Sequence, residues 1–237
     1  MQRAFSAADP EWMDRDDVPP AALREQLRRL EQINRWFGGH AAMRAVAERL
    51  FAGQKQVRIA DLATGFADQP RFLAEWAARR GIEAKVFAVD RHAATLRLAR
   101  AATPANLPIF FVQADVTRLP FKDGTVDAAL CSLALHHFSK EDAVTVLREQ
   151  RRIARHGAAL VDLTRGWLAY AATWLLTALW MRDAQTRHDG RLSVRNAFTP
   201  GELRRLAAEA GWRGMWLRLP WFRQAVIVRD DSAQSAS

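Results

Sequence analysis

Apolar residues change their period several times along the chain, and those changes divide it into elements. Between about 21 and 35, Leu23, Leu27, Leu30 and Ile33 recur every three or four residues, the stripe of an amphipathic helix opened by Pro20. Gly38-Gly39 interrupts the stripe, and a second helix is expected over 40–51. From residue 56 short apolar runs alternate with helical patterns. Strands are predicted over 57–62, 84–89, 109–113, 126–131 and 158–163, and helices over 70–80, 93–101 and onward from Ser139. Gly81 suits the position after a helix end, and Ser139 with Asp142 has the spacing of an N-terminal cap. Such alternation implies a mostly parallel sheet covered by helices on both faces.

After residue 163 the rhythm is lost. Residues 167–181 are almost continuously apolar between Arg165 and Arg182. As a helix this stretch would reach roughly 22 Å, short of the roughly 30 Å hydrocarbon core, so a buried or interfacial helix is expected rather than a membrane span. Thr199-Pro200-Gly201-Glu202 combines a cap, an N1 proline and a capping-box glutamate, opening a helix to 210. Two short strands around Pro220 should follow over 211–229. The expected organisation is an arm and helical cap over 1–55, a main domain over 56–229 with a lid inserted at 166–198, and a disordered tail over 230–237.

Composition narrows this picture. The 237 residues, 49% hydrophobic and 26% charged, suit one α/β domain. A single cysteine, Cys131, excludes an internal disulfide and fits a reducing compartment. The N-terminus soon turns acidic without an apolar run, so a cytoplasmic protein is expected. The net charge of +9 comes mostly from arginines spread as pairs such as Arg79-Arg80 and Arg204-Arg205. Without a basic block these read as solvated helix faces; nucleic acid is disfavoured, and peripheral contact with an anionic membrane stays open. The oligomeric state is not legible.

Candidate chemistry lies at successive strand ends. The turn Asp61-Leu-Ala-Thr-Gly-Phe-Ala-Asp68 joins a strand to a helix, where backbone N–H groups face a ligand crevice in open α/β sheets. Asp90 could accept hydrogen bonds from both hydroxyls of a ribose, and Asp115 from an adenine amino group. In that order the three outline a nucleoside-shaped site.

These segments, with Phe121-Lys-Asp-Gly-Thr-Val-Asp127 and Leu135-His-His-Phe138, resemble class I S-adenosylmethionine-dependent methyltransferases over residues 57–165. The resemblance is strongest to ubiquinone/menaquinone C-methyltransferase-like proteins and related bacterial enzymes of small-molecule methylation. It implies a Rossmann-like seven-stranded sheet with helices on both faces, a helical extension before it and an apolar helical lid after the fifth strand. It also implies S-adenosylmethionine as cofactor, with Asp61 and Gly65 at its methionine side, Asp90 on ribose, Asp115 facing adenine, and Ala63, Arg91, Val116 and Ser132 beside them. The family pattern Asp-x-Gly-x-Gly-x-Gly is here reduced to Gly65, with Ala63 and Ala67 at the other two places. A Cβ at a left-handed position costs on the order of 1 kcal/mol. Phe66 adds bulk beside the amino-acid end of the cofactor. Three segments fall outside the general pattern: Asn34 to Gly39, Arg187 to Gly190 and Ser193 to Phe198.

Methyl transfer needs in-line positioning first, and a base only where the acceptor must lose a proton. His136 and His137 follow the fourth strand, where an acceptor would lie. Together with His188, which Asp189 could orient unless the pair simply forms a turn, they are the catalytic candidates. A metal site is not expected, because no further Cys, His or Glu accompanies His136-His137 at ligand spacing. Trp167, Tyr170, Trp174 and Trp180 suit either core packing or a lid over an aromatic or lipophilic acceptor, with Trp36 and Phe37 closing the other side. The implied activity is methyl transfer to O or C of a phenolic, quinone-like or polyketide-type molecule. An RNA-directed methyltransferase and a non-catalytic methyltransferase-like binding protein are the rivals.

Overall fold

The computed structural model describes residues 1–6, 11, 12, 15, 17–180 and 184–229. The tail expected to be disordered, 230–237, lies outside the described residues. In chain order the elements are α1 (Pro20–Trp36), α2 (Gly39–Leu50), β1 (Gln56–Leu62), α3 (Asp68–Ala78), β2 (Glu83–Asp90), α4 (Ala93–Ala102), β3 (Ile109–Gln113), β4 (Val126–Ser132), α5 (Lys140–Ile153), β5 (Ala154–Leu163), α6 (Trp167–Trp180), α7 (Ala184–Asn196), α8 (Pro200–Glu209), β6 (Met215–Leu219) and β7 (Arg223–Arg229).

All seven strands form one sheet, ordered β3-β2-β1-β4-β5-β7-β6. The first five are parallel, and β7 runs antiparallel between β5 and β6. This is the seven-stranded Rossmann-like sheet that the family resemblance implies. The chain winds outward from β1 through β2 and β3, then returns to β4 on the other side of β1. That reversal opens a crevice at the carboxyl ends of β1 and β4, where ligands of open α/β sheets bind.

Strand alternation divides the core between the two faces. In β1, Val57 and Ile59 pack beneath α2 and α3 with Leu73 and Val86, whereas Ala60 and Leu62 face Leu147, Leu160 and Leu203 beneath α5 and α8. Local signals operate as the sequence suggests. Ser139 Oγ accepts from Asp142 N, and Thr199 with Glu202 forms a full capping box at α8. Gly81 is left-handed, and Ile82 N returns to Ala77 O to close the end of α3.

The segment after β5 differs from expectation in two ways. The stretch around Arg187 to Gly190, a candidate turn, lies inside α7. There α6 packs close: a Cβ on Gly190 would meet Thr177 Cγ2 at 3.4 Å. Two of the tryptophans expected to form a lid, Trp167 and Trp174, do not line the cavity at the carboxyl edge of the sheet. Trp167 is 70% exposed and Trp174 49%, the latter carrying Arg191 on its ring. Thr173, Leu176 and Thr177 of α6 border the cavity instead. Among the described residues no helix is long and apolar enough to cross a membrane.

Candidate functional site

Turns at the carboxyl edge of the sheet build the floor of a cavity of about 850 Å3. All eight residues expected to hold a cofactor line it: Asp61, Ala63, Gly65, Asp90, Arg91, Asp115, Val116 and Ser132. The turn after β1 has the conformation that three glycines would give. Ala63, Gly65 and Ala67 all sit at φ near +55°. Two of the three therefore hold a left-handed backbone against a Cβ, at about 1 kcal/mol each. Phe66 is not loose bulk beside the cofactor end. Its ring is buried with Leu23 and Leu27 of α1 and still borders the cavity, so it fastens the N-terminal helix to the loop.

Three carboxylates face this turn. Asp61 is buried; its Oδ2 accepts from Thr64 Oγ1 at 2.6 Å, while Oδ1 has no hydrogen-bond partner among the described residues. Burial, aided by the nearby charges of Asp68 and Asp90, pushes its pKa up to about 7. Asp90 closes the floor: Oδ2 accepts from Gly65 N and Oδ1 from His92 N, each at 2.9 Å. Asp115, at the mouth, is exposed and accepts from Thr117 N and Oγ1.

The opposite end is built around His136. Its N–H donates to Asp162 Oδ2 at 3.0 Å, and Nδ1 lies 2.7 Å from Asp162 Oδ1. Nε2 lies 3.7 Å from Glu11 Oε1, which in turn accepts from Ser193 Oγ. Burial alone would lower the pKa of His136, but the charge and hydrogen bond of Asp162, with Glu11 beyond, raise it to about 10. The His137 ring, only partly buried, lies 4.3 Å from that of His136. Glu11, His136 and His137 all line the cavity. Spacing along the chain showed no third ligand-type residue beside the two histidines; folding brings one in from 125 positions upstream.

His188, the third catalytic candidate, does not line the cavity. Its side chain is 62% exposed on the outer face of α7. The residue that points inward is its neighbour Asp189, which accepts from Gln26 Nε2 at 2.7 Å and from Trp12 N at 3.1 Å. Burial raises the Asp189 pKa.

The roof draws on the stretch expected as a lid and on the N-terminal helices, through residues that sequence reasoning did not single out for it. Leu30 and Ile33 of α1, Leu175 and Leu176 of α6, and Trp221 and Phe222 at the β6–β7 turn supply apolar walls. Beneath the turn Arg223 is buried; its guanidinium donates to Phe37 O and reaches Asn34 Oδ1, and desolvation lowers its pKa to about 10. The three segments outside the general pattern converge here: Asn34 and Phe37, Asp189 and Gly190, and Ser193, Val194 and Asn196 all border the same cavity. Their departure from the family pattern was the available signal, but nothing in it said that they meet. Trp36, expected to close this side with Phe37, is 69% exposed.

Comparison with known proteins agrees with this geometry. Residues 60–162 match the family described as "Methyltransferase domain". Demethylmenaquinone methyltransferase from Thermus thermophilus is 33% identical over 138 residues, covering 57% of this chain and 60% of that protein. A 2-phytyl-1,4-naphtoquinone methyltransferase from Nostoc punctiforme is 32% identical over 142 residues, with the same coverage. The chain thus spans about 60% of the length of these two relatives. A SAM-dependent methyltransferase structure from Aquifex aeolicus superimposes with a TM-score of 0.63 at 16% identity, covering 90% of this chain and 98% of that one. Magnesium protoporphyrin IX methyltransferase from Synechocystis, with bound SAH, gives 0.61 at 15%, covering 87% and 94%. At such identities these structures show a shared fold.

Proposed function

We propose that this chain is an S-adenosylmethionine-dependent methyltransferase acting on O or C of a lipophilic phenolic, quinone-like or polyketide-type small molecule. The observation that carries this reading is one cavity with two chemically distinct ends. Strand-end carboxylates and a left-handed turn form one end; apolar helix faces and a histidine pair form the other. Quinone methyltransferase relatives support the acceptor class.

The residues at the first end fit the cofactor. Asp61 offers a buried carboxylate oxygen without a partner, which suits an ammonium group better than a neutral one. Asp90, at the end of β2, presents to the same cavity a carboxylate of the kind that accepts from ribose hydroxyls. Asp115 and Val116, which line the same cavity, are the residues we assign to the adenine. When bound, the cofactor supplies an electrophilic methyl group.

What remains for the protein is positioning and exclusion of water. Leucines of α1 and α6 cover the acceptor end, and rigid walls there favour a flat or lipophilic molecule. His136 is fixed by Asp162 and serves as a positioning residue. His137, beside it and less buried, is the group we assign to the acceptor, as orienter or as base where a hydroxyl must lose its proton. Calorimetry with S-adenosylhomocysteine tests the first half of this reading, and the absence of heat at millimolar ligand would overturn it. Intact-mass screening of phenols and quinones for the gain of one CH₂ tests the second.

A further inference from the structure

We propose that Glu11, His136 and His137 bind one divalent transition-metal ion of the zinc type, with an open coordination position facing the acceptor cavity. One ligand atom from each residue can be chosen so that all lie within 4.8 Å of one another. Glu11 Oε1 and His136 Nε2 are 3.7 Å apart, too far to hydrogen-bond. Ligands about 2.0–2.1 Å from a tetrahedral zinc ion stand roughly 3.3 Å from each other, so a modest closure around an ion completes the set.

Three further features distinguish the cluster from a chance meeting of polar groups. First, two of the ligands are held from behind. His136 Nδ1 is anchored on Asp162 at 2.7 Å, the carboxylate–histidine arrangement that aims the other ring nitrogen at a metal. Ser193 Oγ donates to Glu11 Oε1 and so fixes that carboxylate beside the pair. Second, the charges balance. Glu11 and Asp162 are both buried beside the histidines, and a divalent ion takes the place of the proton otherwise shared among them, leaving both imidazoles neutral, the form that ligates. Third, three protein ligands with an open side describe a catalytic rather than a structural site, and here the open side is the cavity that all three line.

The role of the ion rests on the methyltransferase reading; its binding does not. An acceptor hydroxyl or carbonyl oxygen would take the open position, and His137 would then orient it through the ion rather than act as its base. The ion lowers the pKa of a bound hydroxyl, whose proton leaves to solvent, and so holds the acceptor as an oxyanion with fixed orientation.

The test uses tag-free full-length protein stripped with a chelator and titrated with cobalt(II) and with zinc(II). We expect one equivalent of cobalt(II), with the intense visible bands of a tetrahedral or five-coordinate site, displaced by zinc(II). Asp162→Asn should cost 10–100-fold in metal affinity, and Glu11→Gln and His137→Ala more than that. No stoichiometric binding, or full binding in both Glu11→Gln and His137→Ala, overturns the proposal. Should Glu11→Gln fail to fold, His137→Ala, whose ring is only partly buried, decides alone. S-adenosylhomocysteine titrated into the same samples keeps the two readings apart. Cofactor binding without metal sinks the ion alone, and metal binding without cofactor sinks the methyltransferase reading alone.

Discussion

Asp61 is the residue whose surroundings most constrain a ligand. Its folded pKa of about 7 stands above the unfolded 3.8, so between those values the native state holds the extra proton. The stabilisation it gives is therefore present at low pH and declines as pH rises toward 7. A cationic ligand reverses the preference by favouring the carboxylate. S-adenosylhomocysteine, which carries an ammonium group, should bind more tightly at pH 8 than at pH 6 and release a proton near pH 7. Calorimetry in two buffers of different ionisation heat would show this, and Asp61→Asn should abolish the pH dependence. Asp90→Ala should weaken the same ligand by about 2–3 kcal/mol through lost charge-assisted hydrogen bonds, and unchanged affinity would remove Asp90 from the site. The left-handed alanine is testable through stability: Ala67→Gly should raise it by up to about 1 kcal/mol, seen as a higher denaturation midpoint. Asp61, Asp90 and Asp115 were legible as cavity residues because each lies at or just beyond the carboxyl end of a strand whose neighbour is also readable. Glu11 was not: nothing local to a proline- and aspartate-rich arm indicates that it lies against a histidine beyond β4.

At the scale of elements, the sheet was read strand by strand, whereas its coverings, α7 apart, were legible as helices but not residue by residue. Parallel strands buried on both faces leave short apolar runs that stand out, and β1 to β4 lie within a residue of expectation. At β5 the prediction began at 158 whereas the strand begins at Ala154; Arg155 and His156 occupy its exposed start and look like loop. The helix α7 was missed because its polar residues, Asp189 and Ser193 among them, are buried by contact with other segments rather than by an apolar stripe. Asp189 is the join between these segments, taking Trp12 N from the arm and Gln26 from α1. Replacing it with alanine strands the buried Gln26 amide, a loss of roughly 1–3 kcal/mol. We expect Asp189→Ala to lower the melting temperature while leaving calorimetric binding of S-adenosylhomocysteine near the wild-type value. Wild-type stability would mean that α1 and α7 do not depend on this contact.

For the whole molecule, a ligand that binds only the native state stabilises it by mass action, about 2.7 kcal/mol at a hundredfold excess over its dissociation constant. Thermal denaturation should therefore rise with S-adenosylhomocysteine and stay unmoved by nicotinamide dinucleotide, which would want a glycine-richer turn than Ala63-Thr-Gly-Phe-Ala67. An equal shift from both would point to a generic nucleotide site. The division of labour within the cavity has a consequence for descent. Its floor comes largely from the stretch 60–162 that matches the methyltransferase family, whereas its apolar roof comes from α1, α6, α7 and the β6–β7 turn, all outside that stretch. On the proposed function, mutations in the roof would retune which acceptor is admitted without disturbing the carboxylates at the strand ends. Such a scaffold can diversify its chemistry by exchanging its coverings while inheriting its foundation intact.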